Sequence, residues 1–171
     1  NYDGNNLQNH MNVVFVPSGF NGDMELFRQK VEWIHGIFES YTPLRSNINE
    51  LNVFYVPVEN ENINCAFNCN GIARLLCCST SVAKSLSSNC TSGPRQTVVV
   101  HNSTTYGGAG YRSADVATTS INQYAPKVAV HELGHSAFNL GDEYNYQSSS
   151  TSYNSANCSD AGCSKWSDMI G

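Results

Sequence analysis

Five residues in one stretch have the types and spacing to do chemistry: His131, Glu132, His135, Asp142 and Glu143. In a helix running to about Leu140, the i, i+4 spacing stacks the His131 and His135 imidazoles on one face, where they can grip a single metal ion. Neutral imidazoles are good ligands for Zn²⁺, and three protein ligands in place of four leave a position for water. The pKa of such water falls to about 7 from 15.7. Glu132 follows the first histidine directly, so it points beside the metal, where it can take a proton from that water and pass it to a leaving amine. The chemistry implied is hydrolysis of a peptide bond with one Zn²⁺ as cofactor. A third ligand must come from beyond the helix. Gly141 suits a left-handed turn that would bring Asp142 or Glu143 back to the ion; Asp142 is the first choice and Glu143 the alternative. The competing bland reading leaves both histidines on a helix surface and the acidic pair in a solvated turn.

The spacing of His-Glu-x-x-His, with Asp seven residues after the second histidine, resembles the metzincin layout. The full run HELGHSAFNLGDEY, residues 131–144, is more specific. It resembles the zinc motif of the igalysins, the IgA-peptidase family of bacterial metallopeptidases, whose pattern is His-Glu-x-Gly-His-Ser-Phe-x-Gly-Leu-x-Asp-Glu-Tyr. Asn139 stands where that pattern has glycine. Residues 102–110 (NSTTYGGAG) resemble the family's Asn…Tyr-Gly-Gly-x-Gly segment, residues 52–56 (NVFYV) its Asn-Val-Tyr strand, and Lys165-Trp166 its Lys-Trp pair. The resemblance implies a zincin-like α/β (α+β) fold, a twisted mixed sheet with helices that include the His-Glu-x-x-His helix. Met169 is the candidate for a methionine turn beneath the metal. The family name fixes no substrate.

At 171 residues the chain suits one domain, a size that buries roughly 70% of its unfolded surface. One catalytic domain over residues 1–171 is expected, with its end open to two readings: a complete cleft, or one cut short on the C-terminal side. A net charge of −5, with 13% charged residues and no run of Lys or Arg, argues against nucleic-acid binding. No apolar run approaches the ~20 residues of a membrane helix, and Asn1 opens without a basic, apolar leader. A mature or excised soluble monomer with no membrane partner is therefore expected.

The seven cysteines, Cys65, Cys69, Cys77, Cys78, Cys90, Cys158 and Cys163, read as disulfides of a secreted protein. Cys158 and Cys163 could close a small loop, and the other five then leave an odd thiol. A structural zinc site built from Cys65, Cys69, Cys77 and Cys90 is disfavoured, because those spacings lack paired C-x₂-C knuckles. Sequons at Asn89, Asn102 and Asn157 would accept glycans in a eukaryotic host.

The elements that must position the motif follow from periodicity. Residues 12–17 (NVVFVP), 51–58 (LNVFYVPV) and 96–101 (QTVVVH) are apolar, β-branched runs expected as buried strands. Asp23 to Tyr41 reads as a helix with an apolar stripe of Met24, Phe27, Val31, Ile34 and Phe38, capped by Asp23 and barred by Pro43. Strand, helix and strand suggest a unit with the two strands parallel. Ile72 to Leu86 reads as one helix or two, and Asn122 to Leu140 as the metal helix, packed through Val128, Val130, Leu133, Ala137 and Phe138. Helices are expected on one side of the sheet. His35 and His101 are given no role in the site.

Residues 106–111 (YGGAGY) lack the Lys-Ser/Thr of a phosphate loop. Their glycines would let an extended peptide approach a sheet edge, so Tyr106, Gly107 and Gly108 are the expected rim of a substrate cleft, against a plain glycine turn. The expected partner is a protein or peptide substrate. From another functional class, the alternative is a zincin-like binding module that keeps its metal but does not turn over.

Overall fold

The computed structural model describes residues 7–42, 44–142 and 155–157. The β-branched runs become strands Met11–Ser18 (β1), Leu51–Tyr55 (β2) and Arg95–His101 (β3), joined by Gly108–Tyr111 (β4) and Val116–Ser120 (β5). Their order across one mixed sheet is β2-β1-β3-β5-β4. β1 pairs in parallel with β2 and β3, and β3 with β5, while β4 runs antiparallel to β5 and forms the edge. The architecture is the mixed α/β, zincin-like arrangement expected.

The α-helices among the described residues are Met24–Gly36 (α1), Thr80–Ser87 (α2) and Ala125–Phe138 (α3). Alternate residues of β1 face opposite layers. Val13 and Phe15 pack with Phe27 and Ile34 of α1 and with Ala129 and Leu133 of α3. Val14 and Val16 pack with Val99, Val116 and Ala83 of α2. Helices therefore cover both faces, which corrects the expectation of one side. Burial on both faces is also why the β1 and β3 sequences are continuous apolar runs.

The α1 N-terminus is capped as expected: the Asp23 carboxylate accepts the Leu26 N–H at 3.0 Å. The α-helix stops at Gly36, short of Tyr41, and a single 3₁₀ turn, Phe38–Ser40, drops Phe38 into the core beside Phe15. In the second helical stretch only Thr80–Ser87 is helical. The residues before it are pinned by disulfides Cys65–Cys78 and Cys69–Cys77 and by a two-hydrogen-bond bridge between Ala66 and Cys77. Cross-links hold that backbone in a turn at residues 73–74 and single bridges at Leu75 and Cys77, so its apolar spacing never becomes a helix face. Cys90 is the free thiol among the described cysteines; Cys158, Cys163 and Met169 lie outside the described residues. Among the described residues no helix is long and apolar enough to cross a membrane.

Candidate metal centre

α3 begins with Pro126 in its first turn, where a missing N–H costs nothing. Ala125, Ala129 and Leu133, spaced by four, sink one face into the core, so His131 and His135 emerge on the opposite side. Phe138, expected to pack on the sheet, is instead exposed. The helix lies very close to edge strand β4. A Cβ added at Gly110 would come within 2.6 Å of the Glu132 carbonyl and the His135 Cβ, and one at Gly108 within 2.6 Å of Val128. These glycines are required by the chain's own helix, and that contact places the histidine pair at the sheet edge.

The two imidazoles stand edge to face with their Nε2 atoms 3.1 Å apart. Asp142 Oδ1 lies 3.1 Å from His131 Nε2 and 3.2 Å from His135 Nε2. Three ligand atoms bonded to Zn²⁺ at ~2.0–2.1 Å in a tetrahedron are separated by about 3.3 Å, so this triangle has the size a metal needs. Glu132 forms a group with the same histidines, their ligand atoms all within 4.8 Å of one another. The Asp142 triangle matches the spacing of a zinc ligand set, and Glu132 stands next to it. The electron pairs agree with the distances. His135 Nδ1 sits 2.7 Å from the Leu140 carbonyl, which can only accept, so Nδ1 carries the proton and the neutral ring turns a lone pair at Nε2 toward Asp142. Asp142 Oδ1 is a buried atom with no hydrogen-bond donor among the described residues. A neutral imidazole lone pair and a carboxylate oxygen brought this close suit a cation between them. Glu143, the alternative ligand, lies outside the described residues.

Burial, then the neighbouring His135, holds His131 below its usual value, which favours the neutral ligating form. Burial pushes the Glu132 carboxyl up to about 7, against the pull of His135 and Arg74. A carboxyl poised there can exchange a proton near neutral pH.

The turn after α3 is made differently from the expectation. Asn139, at φ 54° and ψ 33°, is the left-handed residue, and Gly141 is not. The amides of Asn139 and Leu140 both donate to the Gly134 carbonyl. Asn tolerates this conformation better than other residues with a side chain, which accounts for its standing where the igalysin pattern has glycine. Gly141 is instead clamped on both backbone groups by the Asn157 carboxamide, at 2.6 and 3.0 Å. Asn157 was invisible to sequence reasoning, since the contact spans 16 residues.

A cleft of about 940 Å³ runs past the centre, lined by Ile72, Arg74, Tyr106, Gly108, Tyr111, Tyr124, His131, Glu132, His135 and Asp142. Of the expected rim, Tyr106 is half-exposed in this cleft and stacks edge to face on Tyr124. Gly107 and Gly108 are buried. The Gly108 N–H and carbonyl already pair with the Arg74 carbonyl and the Leu76 N–H, at 3.2 Å each. The Arg74 backbone crowds Gly107, while at Gly108 the helix covers the face and the 74–76 segment occupies the edge of β4.

Fold and site together define an α/β protein of zincin type whose sheet-edge helix carries a His-Glu-x-x-His cluster with an acid folded back onto it. The IgA Peptidase M64 family model matches residues 53–162, more than half of the chain. The chain belongs to this family of peptidases, as the resemblance to igalysins implied. No curated protein matches it.

Proposed function

We propose that the chain is a secreted zinc endopeptidase, a single catalytic domain in which His131, His135 and Asp142 hold one Zn²⁺ and Glu132 is general base and then general acid. The observation that carries this reading is the triangle of Nε2, Nε2 and Oδ1 atoms 3.1–3.2 Å on a side, with a carboxyl shifted to about 7 beside it. A zinc ion held there supplies Lewis acidity, polarising a scissile carbonyl and acidifying water. The Glu132 carboxylate takes a proton from the attacking water and delivers it to the amine nitrogen that leaves. The Tyr106–Tyr124 pair contacts substrate side chains along the cleft. An extended peptide pairing with β4 does so beyond Gly108, where the strand edge is not taken by residues 74–76. Ligation needs neutral imidazoles, so zinc affinity and activity fall together in acid. The two disulfides fit an oxidising, extracellular setting.

The test is cleavage of a denatured protein by the purified chain, with and without a chelator, alongside metal analysis. Chelator-sensitive cleavage and about one zinc per chain are expected. Zinc bound without cleavage would replace this reading with that of a metal-keeping binding module.

A further inference from the structure

We infer that Arg112, in the turn between β4 and β5, is a positioning residue for the metal centre, acting through the Leu140 carbonyl. This rests on the reading of His131, His135 and Asp142 as metal ligands. The Leu140 oxygen accepts two hydrogen bonds, one from His135 Nδ1 at 2.7 Å and one from Arg112 Nη2 at 2.7 Å. A carbonyl has two lone pairs, so both donors are accommodated. The two bonds do different things. The first fixes the His135 tautomer and aims its Nε2 at the ion. The second ties the oxygen that sets this aim to the sheet, because Arg112 follows directly on Tyr111, the last residue of β4.

The chain between helix and third ligand needs such a tie. α3 ends at Phe138, a left-handed residue follows, and Leu140 precedes Asp142 by only two positions. On the helix side the Leu140 N–H is held by Gly134 at 3.0 Å. Arg112 joins this turn to the sheet edge on which α3 rests. The guanidinium thereby couples the orientation of His135 and the reach of Asp142 to one rigid reference. A charged donor on a carbonyl is also a stronger anchor than a neutral one.

Partners of this kind typically change metal affinity 10- to 100-fold when removed. Zinc alone is the probe. Its dissociation constant is measured by competition with a chromophoric chelator for the parent chain, Arg112→Ala and Arg112→Lys, and the melting temperature of each metal-free protein is measured beside it. The expected result is roughly tenfold weaker zinc binding in R112A with an unchanged metal-free melting temperature, and partial recovery in R112K, which restores one charged donor. Affinity within twofold of the parent in R112A would overturn the proposal while leaving the zinc reading intact. So would a loss of affinity matched by a loss of metal-free stability and not recovered by R112K, which is a merely structural role. A parent chain that binds no zinc would overturn both.

Discussion

Among the described residues, two of the places that gather histidine and acid differ in what their polar atoms face. At the carboxyl ends of β1 and β3, His101 Nδ1 lies 3.1 Å from the Ser18 hydroxyl, and the Glu59 carboxylate accepts the Phe20 N–H at 2.8 Å and the Gly22 N–H at 3.3 Å. His101 Nδ1 and both Glu59 carboxylate oxygens have protein partners there, and burial keeps the His101 ring below its usual value, which favours the neutral form. At the sheet edge, by contrast, the two Nε2 atoms lie 3.1 Å apart and stand 3.1 and 3.2 Å from Asp142 Oδ1, a triangle of potential ligand atoms. Residue type is similar in the two places. Spacing separates a knitted loop from a candidate ligand set, because two imidazole nitrogens and a carboxylate oxygen gathered this closely suit a cation.

Breaking the contrast at its strongest point gives the largest effect. Asp142→Ala removes one of three ligands and should lower zinc affinity by a hundredfold or more, whereas His101→Ala should leave it unchanged; metal titration of both variants checks the pair. Equal losses in the two would erase the distinction. Next in size, Glu132→Gln should retain zinc and reduce kcat by roughly 10²–10⁴-fold, measured on a peptide substrate with metal content assayed in the same sample. Retained parental turnover would remove Glu132 from the chemistry.

Smaller effects sharpen the other side. Glu59→Ala strands the Phe20 N–H and should cost about 1–2 kcal/mol, a melting point lower by about 2–6 °C, with zinc affinity untouched. The smallest concerns acid. His35 and His101 are both held below 6.5, in each case first by burial. Above 6.5 they are neutral folded or unfolded. As pH falls below 6.5 the unfolded chain takes up protons that the folded chain refuses, so stability declines until the lowered folded values are passed. Thermal melts in the zinc-free Asp142→Ala background should show this decline, and His101→Gln should lessen it.

The centre of the site was legible because its signal is local. His131, Glu132 and His135 share one helix turn, and the i, i+4 rule orients them whatever the rest of the chain does. The apolar runs of β1, β2 and β3 were legible for the same reason, as was the Asp23 cap. What escaped notice depends on partners distant in sequence. Residues 72–78 have helical spacing, yet two disulfides and a bridge hold them open. α2, only eight residues long, carried too little periodicity to announce a second helical layer. Glycine drew attention to position 141, while the left-handed turn sits at Asn139, the other residue type that accepts it. The glycines of β4 were legible as a close approach, but the approaching partner is α3 and the 74–76 backbone. Arg112 and Asn157, which fasten the turn carrying Asp142, have no sequence signature at all.

Anomalous diffraction at the zinc absorption edge, from crystals of the chain grown with stoichiometric zinc, tests the central claim most directly. A single strong peak bonded to His131 Nε2, His135 Nε2 and Asp142 Oδ1, with one position not filled by protein, is the expected result. No peak at that triangle, or a fourth protein ligand closing the ion off from water, would contradict it.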